Sequence, residues 1–211
     1  MYKEMAMTIF TQTNPNRRSV MIGMASTAAL LPLSGPALAL SDSQATTHVN
    51  KLVAAINKVI SSGKSEARMI KEFEKIFVKY SDVKYLASYA LGVEGRRASP
   101  NQKKAFAKAF QGYIARKYGK RFREFIGGRL EVLSTKTVKS HVEVKSVAYL
   151  KGQSPFDVTF FVSDKRGKPL FYNMYIEGIN MLLTERTEIG AMLDKRKGNI
   201  DLLIKDLKTA G

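Results

Sequence analysis

The side chains able to do chemistry are few and scattered. Two histidines, His48 and His141, lie far apart, and neither sits in a G-x-S-x-G or H-E-x-x-H setting. Cysteine is absent, which excludes disulfides, thiolate metal sites and a lipid-modified N-terminal cysteine. Glu72 and Glu74 fall on an exposed helix face, where such carboxylates are ordinarily solvated. Gly127-Gly128 and Leu91-Gly92 lack the spacing of a phosphate-cradling loop. Tyr172, Asn173 and Asp157 remain as acid or base candidates for an enzyme with a cone-shaped pocket and a hydrophobic substrate. Side chains alternate along a strand, and that alternation puts Asn173 and Asp157 on the polar side. The pattern argues against catalysis, and neither metal nor cofactor is expected.

What the chain offers instead is an apolar surface. Phe156 to Ser163, a turn at Asp164-Lys165-Arg166-Gly167, and the return run through Gly178 read as a hairpin. Alternation places Phe156, Val158, Phe160 and Val162 on one face, and Leu170, Tyr172, Met174 and Ile176 on one face of the return strand. That face is aromatic and nearly free of polar groups, so something apolar must cover it. Helices either seal it as ordinary core or stand off and leave room for an apolar guest.

The elements that must position this face follow in order. Thr46 to Ser61, Ser65 to Tyr80 and a short run from Ser81-Asp82 through Leu91 have helical apolar spacing. Ser99-Pro100-Asn101-Gln102 carries a hydroxyl cap, a proline at the first helical position and a capping-box glutamine. The helix it opens presents Phe106, Ala109, Phe110, Tyr113 and Ile114 on one arc, and Arg116, Lys117, Lys120, Arg121 and Arg123 form the densest cationic run. From Arg129 the period becomes two: Arg129 to Ser140, His141 to Lys151, then the hairpin. The chain continues through Ile179 to Leu183, and helices are expected over Thr184 to Leu193 and Ile200 to Leu207. Helices first, an antiparallel sheet second and helices last predict an α+β domain with its sheet covered on one face, enclosing an apolar cavity where the helices stand off.

Residues 1–39 read as an export signal of the twin-arginine type. Arg17-Arg18 precede an apolar run from Val20 to Leu33, and Ala37-Leu38-Ala39 supplies small residues for cleavage. The run is too short, and too broken by Ser26, Thr27 and Pro32, to span a bilayer. Residues 40–211 then form one domain of 172 residues with 32 basic and 17 acidic side chains. In an exported protein such a charge suits phospholipid headgroups or acidic protein faces better than nucleic acid.

Leu91-Gly92-Val93-Glu94-Gly95-Arg96-Arg97-Ala98-Ser99-Pro100-Asn101-Gln102-Lys103, with Phe106, Phe110 and Tyr118 after it, resembles the MlaC family of periplasmic phospholipid-binding proteins, also called toluene-tolerance proteins. A second likeness lies at Tyr172 to Met181, with Arg186 and Asp201 to Leu207 downstream. Gly95, Asn173 and Asn180 depart from the tryptophan, aspartate and serine usual there. The resemblance implies a freely diffusing, monomeric, non-enzymatic carrier in the periplasm. It implies a glycerophospholipid as cargo, exchanged between an outer-membrane lipoprotein-porin complex and an inner-membrane Mla ABC transporter complex in the service of outer-membrane asymmetry. On that reading Phe106, Phe110, Tyr113, Ile114, Val158, Phe160, Val162, Tyr172, Met174 and Ile176 face the acyl tails, and Arg96 and Arg97 are candidates for the headgroup phosphate.

Overall fold

The structure, a computed structural model, describes residues 40–120 and 125–211. The expected export segment, and Arg121 and Arg123 of the cationic run, lie outside the described residues.

Four helices come first: α1 (Asp42–Ile60), α2 (Glu66–Tyr80), α3 (Val83–Leu91) and α4 (Pro100–Gly119), with a 3-10 turn at Gly92–Arg96. Helix α1 starts four residues before Thr46, because Ser41 and Gln44 form a reciprocal capping box that satisfies its first amide groups. The expected box at α4 is present: Gln102 N donates to Ser99 Oγ at 3.2 Å, and Ser99 N donates to Gln102 Oε1 at 3.0 Å. Asp82 caps α3, and Gly92 ends it at φ +66°, a conformation that favours glycine.

An antiparallel meander follows, β1 (Arg129–Val138), β2 (His141–Tyr149), β3 (Phe156–Ser163), β4 (Leu170–Ile176) and β5 (Ile179–Asn180), with its strands in sequence order across the sheet. Helices α5 (Met181–Lys195) and α6 (Ile200–Leu207) close the chain. Helix α5 begins at Met181, three residues before Thr184, since Asn180 Oδ1 accepts from Leu183 N at 3.0 Å and caps it there. The short run Met181-Leu182-Leu183 has no period of its own to separate strand from helix.

Two apolar cores result. One lies among α3, α4, α5 and α6, around Phe106, Phe110, Ile189, Leu203 and Leu207. The other lies between α1 and the sheet, around Val49, Leu52, Val142, Val144, Phe160 and Val162. A smaller cluster of Val59, Ile60, Met69 and Phe73 joins α1 to α2.

The register of β4 corrects the alternation. Phe160 pairs with Met174, Phe161 with Asn173, and Val162 with Phe171, so Tyr172 is an extra residue in a β-bulge. The slip turns Tyr172 to the uncovered face, where its ring meets those of His141 at 5.8 Å and Phe161 at 6.2 Å. Phe171 takes its place on the covered face, against Phe160 and Phe77.

Candidate functional site

The covered face of the sheet is built of cross-strand rungs. Val142, Val162 and Phe171 form one; Val144, Phe160 and Met174 the next. Val132, Ser146, Val158 and Ile176 form a third, and Leu130, Ala148 and Phe156 a fourth. The β2 and β3 members are buried except Phe156, because α1 lies over them with Val49 and Leu52. The margins are different. Leu130, Val132, Phe156, Met174 and Ile176 are only half-buried, as are Val53 and Ile56 of α1 and Ile76 of α2. The face therefore has a filled centre and an incompletely closed apolar rim. The enclosed cavity expected from the sequence is occupied at its centre by α1 side chains.

Of the tail-facing candidates, Val158, Phe160, Val162 and Met174 belong to this face together, with Ile176 paired to Val158. Tyr172 does not, for the reason given above. Phe106, Phe110, Tyr113 and Ile114 lie in the helical core, where α4 packs on α3 and α6 instead of on the sheet. The arc of α4 is buried, and its partners in that core are helices. Arg96 and Arg97 are exposed at the 3-10 turn, with Arg97 within 3.7 Å of Glu94. Phe171 and the α1 residues Val49, Leu52, Val53 and Ile56 are the missed members of the face. Alternation hid Phe171, whereas the helical period of α1 was visible and lacked only a destination.

One polar group sits in this apolar surface. Ser146 is 2 % exposed, and its Oγ has no hydrogen-bond partner. An unmatched buried hydroxyl costs about 1–3 kcal/mol.

A polar cluster borders the helical core near the C-terminal end of α4. Lys117 Nζ donates to Glu185 Oε1 at 2.7 Å and to Glu188 Oε2 at 2.6 Å, while the Tyr113 and Tyr118 hydroxyls donate to Glu188 and Glu185. Burial, then the neighbouring carboxylates, push both phenols far above their ordinary range, so they stay protonated. Burial opposes the Lys117 charge, but its bonds to Glu185 and Glu188 outweigh that and raise its pKa. Burial also opposes the Glu188 carboxylate; the Lys117 and Tyr113 hydrogen bonds win and lower its pKa. The cluster fastens α4 to α5 and holds Lys117 cationic and Glu188 anionic near neutrality.

The uncovered face holds a hollow of about 360 Å³ lined by Leu133, Glu143, Lys145, Asp157, Thr159, Phe161 and Tyr175, and the β2 strand also borders it at Ser146. The rings of Phe161 and Tyr175 are 4.9 Å apart, and Tyr172 meets Tyr85 at 5.4 Å. Burial, with the neighbouring Tyr85, Glu143 and Tyr175, pushes the Tyr172 phenol up to about 12, so it transfers no proton near neutrality. Asn173 Oδ1 accepts from Met174 N and Leu182 N at 2.8 and 3.3 Å, a bond set that ties β4 to α5. Neither residue is placed as the acid or base of the rival enzyme. A second hollow, about 450 Å³ between α2, α4 and α6, is rimmed by Lys108, Arg116 and Lys208. Lys108 is held by Glu74 at 2.9 Å, and Arg116 donates to the carbonyls of Leu207 and Ala210. Among the described residues no three His, Asp or Glu side chains are grouped to hold a metal, and no helix is long and apolar enough to cross a membrane.

Comparison with known proteins bears on the whole arrangement. A phospholipid-binding protein from Ralstonia solanacearum, solved in complex with a phospholipid, has the same fold with a TM-score of 0.67. It is 18% identical, and the match covers 79% of this chain and 95% of that one. The family model described as MlaC protein matches residues 46–209, which take in every helix from within α1 onward and the entire sheet. The chain belongs to the MlaC family.

Proposed function

We propose that this protein is an exported, non-enzymatic carrier that holds a glycerophospholipid with its acyl chains between α1 and the covered face of the sheet. In this role it diffuses through the periplasm as a monomer and exchanges its cargo with the inner-membrane Mla ABC transporter complex and an outer-membrane lipoprotein-porin complex. Outer-membrane lipid asymmetry is the process served. No covalent step is involved.

The observation that carries the reading is the half-buried apolar rim of Leu130, Val132, Phe156, Met174 and Ile176 around a face covered chiefly by α1. Exposing ~30 methylenes to water at ~0.8 kcal/mol each costs upward of ~20 kcal/mol, which a surface cation cannot offset. Only enclosure by apolar side chains can. A chain enters by displacing Val53 and Ile56 of α1 from the rim, so the guest replaces contacts that close the empty face. Family membership and the fold shared with a phospholipid-bound protein support the same cargo class.

The test is mass spectrometry of residues 40–211, purified without detergent and extracted with organic solvent. Stoichiometric glycerophospholipid is expected. A protein that emerges empty, and stays empty after incubation with phospholipid vesicles, overturns the reading.

A further inference from the structure

Ser146 is the only polar side chain on the covered faces of β2, β3 and β4 among the described residues. Its hydroxyl is buried and unmatched. We propose that Ser146 Oγ–H is the hydrogen-bond donor to an ester carbonyl of the bound diacyl lipid, which makes it a specificity-determining residue of the carrier. The inference rests on the cargo reading above and adds to it the chemical linkage that is recognised.

Three features converge on this assignment. The rung Val132–Ser146–Val158–Ile176 lies one step inside the end rung of Leu130, Ala148 and Phe156, whose outer members Leu130 and Phe156 are half-buried. Two residues along a strand is about 7 Å, so the hydroxyl sits just within the mouth and not at the end of the tails. A glycerophospholipid changes there from polar head to hydrocarbon, and its last polar atoms are the ester oxygens. Those oxygens only accept, so their partner must donate. A hydroxyl is a small neutral donor, whereas a buried amide or ammonium would disfavour the empty protein far more. Ala148 and Ser146 are also the smallest side chains on the covered face of β2, which lowers the floor of the sheet at this point relative to Phe160 and Met174 beside it.

The linkage gives the test. Purified residues 40–211 are offered dioleoyl-phosphatidylglycerol and its dioleyl diether counterpart in competition; the two differ only in the ester carbonyls. Wild type is expected to prefer the diester about three- to tenfold, in line with one net hydrogen bond. Ser146→Ala is expected to bind both equally, while its empty form unfolds at a temperature no lower than wild type, since a lone hydroxyl has been removed. Infrared spectroscopy of bound diester supplies a readout that needs no variant: one carbonyl band shifted to lower wavenumber in wild type. Equal binding of the two lipids by wild type, a preference that survives in Ser146→Ala, or an unshifted carbonyl band each overturns the proposal and leaves the carrier intact. If neither lipid binds to wild type, the carrier reading fails as well, and the two failures are told apart.

Discussion

The backbone N–H of Asp82 donates to the carbonyl of Phe171 at 2.8 Å, and the neighbouring Ser81 forms a parallel bridge with the same residue. The joint between α2 and α3 is thereby pinned to β4 at the bulge. Phe171 is also the one side chain among the described residues that packs against both the helical core and the sheet core. Phe171→Ala is expected to destabilise the fold by about 2–3 kcal/mol, toward the lower side for a phenylalanine because the ring is half-buried. A lowered urea midpoint measures it, and a midpoint equal to wild type would show that the two cores are joined elsewhere.

Met174 faces α1 from the rim, and Phe160 beside it is buried. Met174→Arg keeps its charge near water, so circular dichroism should match wild type while co-purified phospholipid falls at least about tenfold. Phe160→Asp places a carboxylate in a sealed apolar site and should cost several kcal/mol, of order 3–5, in stability as well. Lipid retained in folded Met174→Arg would remove the rim from the site.

His48 reports pH through the fold. Its Nε2 lies 2.9 Å from the Tyr80 carbonyl, which fixes that nitrogen as the donor, and its ring is 5.3 Å from the Tyr80 ring. Burial lowers its pKa from 6.5; the Tyr80 carbonyl opposes that, and Lys168 and Lys51 add to it. The unfolded chain thus takes up a proton that the folded chain resists, and stability is lost as pH falls through the unfolded value of 6.5 toward the folded one. Melting temperatures at pH 7.5 and 5.5 should show the fall in wild type and a smaller one in His48→Gln. Identical slopes would assign the pH dependence to other groups.

Lys117 is the cation on which Glu185, 4 % exposed, depends. Lys117→Met leaves that carboxylate buried without a partner charge and should cost about 3–5 kcal/mol, with much of it recovered in Lys117→Met/Glu185→Leu. Urea titration of the single and double variants decides this. A single variant as stable as wild type would mean that water reaches Glu185.

Much of the architecture was legible because it is locally encoded. The Ser99 and Gln102 pair marks the start of α4, the period of two marks β1 to β4, and Gly198-Asn199 separates the last two helices. The site was less legible. Phe160-Phe161 and Phe171-Tyr172 are aromatic in both phases, so alternation alone gives no reason to place a bulge at Tyr172. The apolar arc of α4 places Phe106 and Phe110 on one side, yet a stripe does not name its partner, and α5 and α6 begin 75 and 94 residues after Phe106. Ser146 looks like one more polar residue in a strand whose other face is wet. Only the register, which sets it opposite Val158, reveals that its hydroxyl faces inward.

The division into two cores also separates two tasks that a single core would confound. Residues around Phe106, Ile189 and Leu203 keep the polypeptide folded, while on the proposed carrier reading those bordering α1 and the sheet are free to change with the guest. Substitutions in the second set can retune cargo width or saturation without eroding foldedness, so related chains should diverge faster along that border than within the helical bundle.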